Sequence, residues 1–262
     1  MPVNPQRLLA DLDRFAAIGR VPEGGVSRLA FSPADHEARL LLTRLMREAS
    51  LEVRIDEFGN IWGRTTADWD MPAVVAGSHL DSVPNGGTYD GALGVLGAME
   101  VIRSIREDGR LPAVPLGMVD FSAEESSRYG ISTVGSKGIA GLLTREEIAQ
   151  LRDRDGRTFG EAVRDRAGFE LGGPPASPGK IGCFLEMHVE QGRELEASGM
   201  QLGVVKAIAA PTRFRVMVHG EAAHSGATLM TWRKDGLVAA SELVLALERI
   251  AEVEEDYGTV AT

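Results

Sequence analysis

The chain is short of cysteine, of positive charge and of long apolar runs, and each shortage excludes something. Cys183 is the one cysteine in 262 residues, so no disulfide can form within the chain, which fits a reducing cytoplasm. The formal net charge is −10, whereas a nucleic-acid binder would want a basic face. No segment approaches the roughly 20 apolar residues of a membrane span. The opening stretch, MPVNPQRLLADLDRFAAIG, has no apolar run long enough for a signal peptide. These readings predict a soluble, cytoplasmic protein with neither nucleic acid nor membrane as partner. What is present is ordinary globular material, with 44% hydrophobic and 25% charged residues and length for one large domain or one domain plus part of another. Glycine is somewhat abundant at 31, and many glycines sit beside candidate site residues.

Hydrophobic periodicity supplies the architecture. Residues 34–49 read as an amphipathic helix with Ala38, Leu41, Leu42 and Leu45 on one face. LEVRIDEFGNIWGR alternates and breaks at Gly59-Asn60, which predicts a hairpin or two short strands. Apolar strands follow at 71–77, 114–122 and 182–188, with helices at 91–107, 145–155 and 158–168 and a loop at 172–180. Strand, helix, strand, helix, strand implies an α/β sheet with helices on its faces. After about residue 205 the pattern changes to an alternating strand at 213–220 and a long helix at 235–255. The expected division is a catalytic domain over 1–204 and a second domain starting at 205–262.

Chemistry gathers where the strands end. After 71–77 comes Ser78-His79-Leu80-Asp81, after 114–122 comes Ala123-Glu124-Glu125, and after 182–187 comes His188-Val189-Glu190. Asp90, flanked by glycines in GGTYDG, precedes the first crossover helix. Open α/β sheets bind ligands beyond the carboxyl ends of their strands. A lone histidine there is usually a satisfied structural residue, a Glu-Glu pair usually a solvated loop, and Asp90 a turn residue. Three strands ending in HxD, EE and HxE are harder to explain structurally, and converging His and carboxylate groups bind metals. Two ions ~3.5–4 Å apart need a bridging carboxylate, a role that suits Asp90, with His79 and His188 capping one ion each. Asp81 is placed to orient His79, Glu125 to bind metal, and Glu124 to act as general base.

GSHLDSVPNGGTYDGALGVLGAMEV, FSAEESSRYGISTVGSKGIAG, EMHVEQGRELEASGMQLGVV and GEAAHSGATLMTWRKDGL resemble, in order, signature segments of the N-carbamoyl-L-amino-acid hydrolases. That group of the M20 metallopeptidase superfamily includes allantoate amidohydrolases and β-ureidopropionases. The resemblance runs over essentially the whole chain. It implies a di-metal catalytic domain with a mixed sheet flanked by helices and an inserted, smaller α+β dimerisation domain. It makes His79, Asp90, Glu125 and His188 ligands of two divalent ions (zinc, manganese, cobalt or nickel), with Asp90 bridging. Glu124 becomes the general base, Asp81 the support of His79, and Gln191 a substrate contact. His224 resembles a histidine that reaches a partner subunit's site to stabilise an oxyanion, which implies a homodimer. His36 and His219 match no motif. The implied reaction is hydrolysis of a ureido or carbamoyl C–N bond of a small molecule, with release of ammonia.

The chain also departs from that pattern. Family proteins are markedly longer, so both domains are expected to be C-terminally incomplete here, without a fifth ligand, a histidine, and without the carboxylate-binding Asn and Arg. Leu229 stands where a proline is usual, and residues 207–211 replace a more glycine-rich stretch. A metallo-exopeptidase or N-acyl-amino-acid hydrolase of the same fold is the second reading, which His188 and the Glu190-Gln191-Gly192 after it disfavour. A non-catalytic remnant that dimerises or binds ligand is the third.

Overall fold

The computed structural model describes residues 3–109, 112–166, 178–208, 212 and 214–253. Most of the loop expected at 172–180, the ends of the helices expected over 158–168 and 235–255, and residues 209–211 and 213 lie outside them. The chain divides into two compact units, Met1–Gln191 and Gly192–Thr262.

The first unit is built on a five-stranded mixed sheet. Its strands are β1 (Glu52–Ile55), β2 (Ile61–Arg64), β3 (Ala73–His79), β4 (Leu116–Phe121) and β5 (Ile181–Leu185), in the spatial order β1-β2-β4-β3-β5. The expected hairpin is present: β1 pairs antiparallel with β2, across a turn in which Gly59 takes φ +80°. β2 is antiparallel to β4, while β3 runs parallel to both β4 and β5. Pleating sends alternate side chains to opposite faces. Ile61 and Met118 therefore join one hydrophobic core, and their neighbours Trp62 and Val119 join the other.

Helices α1 (Pro5–Ala17), α2 (Pro33–Glu48) and α3 (Ala92–Glu107) contribute to the first core through Phe15, Leu42, Met46, Leu96 and Met99. The shorter helices α4 (Val134–Ile139), α5 (Arg145–Gln150) and α6 (Phe159–Arg166) contribute to the second through Val134, Ile148, Phe159 and Val163. Each fully buried Leu, Met or Phe contributes roughly 1.5–3 kcal/mol. Local sequence starts the helices. Ser32 caps α2 by accepting the Asp35 N–H at 3.2 Å, with Pro33 at the first helical position. Thr144 and Glu147 form a capping box on α5. That helix stops at Gln150, short of the expected 155, because the chain turns to pair Arg152 with Thr158 and to bury Phe159.

Among the described residues of the second unit, α7 (Glu194–Ser198) ends at a left-handed Gly199, and α8 (Gly236–Val253) is the long helix expected there. Residues 214–220, expected as a strand, form no ladder among the described residues. Alternation of side chains supplies a strand's faces but not the neighbour that must accept its backbone hydrogen bonds. No helix among the described residues is long and apolar enough to cross a membrane.

Candidate metal centre

The parallel strands deliver their carboxyl ends to one edge of the sheet. His79 is the last residue of β3 and lies opposite Phe121, the last of β4. Just past β4, Ala123 takes φ +47° and turns the chain into Glu124 and Glu125. β5 ends at Leu185, three residues earlier than expected, so His188 sits in the following loop. Asp90 precedes α3, whose first turn packs tightly on this edge. A Cβ at Gly94 would lie 2.6 Å from both the Met187 carbonyl and the Ser78 Cβ.

His79, Asp90 and His188 come together, with one ligand atom from each within 4.8 Å of the others. The His188 Nε2 is 3.3 Å from Asp90 Oδ1, an atom that is buried yet makes no hydrogen bond. The other carboxylate oxygen, Oδ2, accepts from Gln191 Nε2 at 2.8 Å. Gln191, read from the sequence as a substrate contact, thus also fixes the candidate bridging carboxylate, and it does so from a backbone at φ +57°.

The two imidazoles are oriented alike. His79 Nδ1 lies 2.8 Å from the Asp81 carbonyl oxygen, and His188 Nδ1 lies 2.8 Å from the Val189 carbonyl oxygen. A carbonyl only accepts, so both Nδ1 atoms carry the proton and both Nε2 lone pairs remain for a ligand. This is the tautomer a metal-binding histidine needs, with the other ring nitrogen held by an acceptor. Donor types, the tautomers and the orphaned Asp90 oxygen all fit a divalent cation.

Asp81 supports the site differently from the expectation. Its carboxylate is 3.7 Å from His79 Nδ1, and the close contact comes from its backbone carbonyl instead. The carboxylate accepts the backbone N–H groups of Glu124 and Glu125, each at 3.1 Å, tying the β3 and β4 ends together. Burial pushes the Asp81 carboxyl up to about 7. Burial alone would depress the His79 pKa, but the Asp81 and Glu124 carboxylates outweigh it and the net shift is upward. Glu124 is 30% exposed, with Oε2 3.8 Å from His79 Nε2. Glu125 lies outside the His79, Asp90 and His188 cluster. Its pKa is raised first by burial and then by the Glu124 charge, while His79 and His188 oppose the rise.

His224 belongs to the second unit. Its Nδ1 accepts the N–H groups of Gly226 and Ala227, both at 3.1 Å, so its Nε2 carries the proton and can donate. Arg233 holds the same loop through the Ser225 and Thr228 carbonyls. His36 is half-buried in α2 and is not part of the cluster, and His219, in the second unit, is exposed.

Sequence reasoning passed over the buried charges beneath the site. Asp56 accepts from Phe58 N, Asn60 N, Asn60 Nδ2 and Trp62 Nε1, and Asn60 Oδ1 in turn accepts the Ser122 N–H just before the Glu124–Glu125 turn. Arg28 and Asp120 are likewise sealed from water. The available signal was a lone carboxylate, Asp120, inside the otherwise apolar run VPLGMVDFS.

Residues 75–260 match the peptidase family M20/M25/M40. The chain is 36% identical over 268 residues to an N-carbamoyl-L-amino-acid amidohydrolase of Pseudomonas sp. (strain NS671), an alignment covering 99% of this chain and 64% of that protein. It is 38% identical over 275 residues to a ureidoglycolate hydrolase of Arabidopsis thaliana, covering 100% of this chain and 57% of the relative. The crystal structure of an amidase of the hydantoinase/carbamoylase family from Burkholderia multivorans aligns with a TM-score of 0.81 at 36% identity, over 98% of this chain and 62% of that one. The chain therefore spans about three fifths of the length of these relatives.

Proposed function

Because this chain belongs to the peptidase family M20/M25/M40, we propose that its metal-binding edge serves the hydrolysis of a ureido or carbamoyl C–N bond in an N-carbamoyl amino acid or allantoate. The observation that carries the reading is the convergence of His79, Asp90 and His188, with a buried Asp90 oxygen that has no hydrogen bond. Identity of 36% to an N-carbamoyl-L-amino-acid amidohydrolase favours a carbamoyl substrate over a peptide. His79, Asp90, Glu125 and His188 would hold two divalent ions (zinc, manganese, cobalt or nickel), with Asp90 between them. When bound, such ions polarise a carbonyl and make water more acidic.

The chain's own residues supply the rest. Glu124, at the rim of the cluster, takes a proton from the attacking water and returns it to the leaving nitrogen. Asp81 holds the Glu124–Glu125 turn against the end of β3, and Gln191 fixes Asp90 and contacts the substrate. His224, as an Nε2–H donor, stabilises the oxyanion that develops in a partner subunit's site. An N-carbamoyl amine and one water then give the amine, ammonia and carbon dioxide.

The domain division follows the same reading: a catalytic domain over 1–204 and the start of a dimerisation domain over 205–262. In a polypeptide of the relatives' length, further residues complete both domains and supply one more histidine ligand and the substrate's carboxylate clamp, and the assembly is a homodimer. A metallo-exopeptidase or N-acyl-amino-acid hydrolase of the same fold is the second reading, and a remnant that only binds ligand or dimerises is the third. The test pairs two assays of the purified chain: ammonia release from N-carbamoyl amino acids and allantoate against amine release from peptides, and bound metal by elemental analysis. Ammonia release abolished by a chelator supports the hydrolase. Amine release from peptides without ammonia release supports an exopeptidase. Inactivity with fewer than about one tightly held ion per chain supports the remnant.

A further inference from the structure

Between the ligand His79 and its support Asp81 lies Leu80, fully buried immediately after β3. Both of its backbone polar groups are held by charged side chains. The Leu80 N–H donates to Asp120 Oδ1 at 2.9 Å, and the Leu80 carbonyl accepts from Arg28 Nε at 2.6 Å. Neither partner is near in sequence: Asp120 comes from β4 and Arg28 from the segment after α1.

Each partner is anchored in its turn. The same Arg28 guanidinium donates from one terminal nitrogen to the Phe15 carbonyl at 2.8 Å and the Ile18 carbonyl at 3.1 Å, at the end of α1. The Arg28 backbone donates to Ser82 Oγ and accepts from Ser82 N–H, both at 2.9 Å, so residue 28 grips the turn on either side of Asp81. Asp120 Oδ2 lies 3.2 Å from Arg39, which also donates to the Gly59 carbonyl. Arg28, Asp120 and Arg39 are 1%, 0% and 4% exposed.

Burying such charges costs several kcal/mol per ion before pairing. An apolar core would close the same space without that cost, and a hydroxyl or amide would satisfy the Leu80 groups. What the charged pair adds is rigidity, because two short charge-assisted bonds on one residue oppose any rotation of its peptides. Those peptides carry the His79 ring on one side and the Asp81 carbonyl that receives its Nδ1–H on the other. We propose that Arg28 and Asp120 are positioning residues for the metal centre, clamping the Leu80 backbone so that the His79 Nε2 stays aimed at the cluster. The proposal rests on the metal-centre reading given above.

The test is zinc affinity of the full chain, measured by competition with a chromogenic chelator. Arg28→Lys keeps the charge, but an ammonium cannot span three carbonyls as the planar fork does. Affinity is expected to fall about tenfold or more, the effect of losing a partner that orients a ligand. Asp120→Ala should fall similarly, and Asp120→Asn, which keeps an oxygen for the Leu80 N–H, should recover most of the loss. Leu42→Val, a core change outside the clamp with a comparable drop in Tm, should bind zinc as the parent does. In the unaltered chain, the Leu80 amide should exchange with solvent in the slowest class. Arg28→Lys and Asp120→Ala binding within about twofold of the parent, Leu42→Val weakening equally, or a fast-exchanging Leu80 amide would each overturn the clamp and leave the metal centre standing. A parent chain that holds none of zinc, manganese, cobalt or nickel overturns the metal centre and the clamp together.

Discussion

At Gly91 the backbone takes φ +64°, and a Cβ there would lie 2.4 Å from the His79 carbonyl oxygen and 2.5 Å from its Nε2. The residue that follows the candidate bridging aspartate therefore has no room for a side chain and occupies a conformation that L-residues disfavour. Gly91→Ala is expected to cost about 1–3 kcal/mol from the backbone alone, read by urea denaturation. It should also displace His79, so metal retained after dialysis should fall. Unchanged stability and metal content would show that α3 can shift to accommodate the methyl group. The same residue-level logic explains why Asp81 was legible only in part. A His-x-Asp spacing places a carboxylate near the imidazole, but the His79 Nδ1–H goes to the Asp81 carbonyl while the carboxylate collects two N–H groups from residues 124 and 125. Spacing within β3 carries no information about what the end of β4 will ask of that carboxylate.

Between elements, α1 is fastened to α3 by a buried carboxylate. Glu100 accepts from Arg7 Nε at 2.6 Å, from the Asn4 N–H at 2.8 Å and from Ser104 Oγ at 2.9 Å, while its side chain is 2% exposed. Arg7 reaches on to Glu107, about two helical turns further along α3. Burial alone would raise the Glu100 pKa, but these donors outweigh it and hold the group below its usual value of 4.5. A folded-state pKa below the unfolded one contributes stability that is present above the unfolded value and lost as pH falls through the folded one. Glu100→Gln should therefore cost about 1–3 kcal/mol at pH 7. It should cost progressively less as pH drops below 4.5, a trend that urea denaturation across a pH series would register. A pH-independent difference would mean that the loss comes from packing. Periodicity revealed α3 and α2 because their apolar faces are continuous, as with Ala38, Leu41, Leu42 and Leu45, all of which are buried. It missed α1, and it drew α5 too long, because RDRD after Leu151 carries helix-compatible charges but nothing to bury.

At the scale of the whole molecule, a bound cation is linked to folding. A divalent ion that binds only the folded chain, at about 100 times its dissociation constant, adds about 2.7 kcal/mol, or about 5–10 °C in Tm for a chain of this size. Calorimetry with zinc or manganese, then with a chelator in excess, should show that gain and its reversal, and a Tm indifferent to both would count against the centre. The second unit exposes apolar side chains along α8, with Leu237 at 77%, Val244 at 65% and Ile250 at 59%. Such surface promotes association, so the sedimentation coefficient should rise with concentration, and a value constant from low to high micromolar would refute it. The α/β class, the hairpin at Gly59, the three apolar strands and the set His79, Asp90 and His188 were all readable in the sequence, because periods of 2 and 3.6 residues and strand-end motifs are written in adjacent positions, and the family was readable as a resemblance of whole segments. Tertiary structure alone decided that Gln191 holds Asp90 and that Arg28 and Asp120 meet on Leu80. Those contacts join residues 40 to 101 positions apart, and it is sheet register and helix packing, not sequence spacing, that bring them within hydrogen-bonding distance.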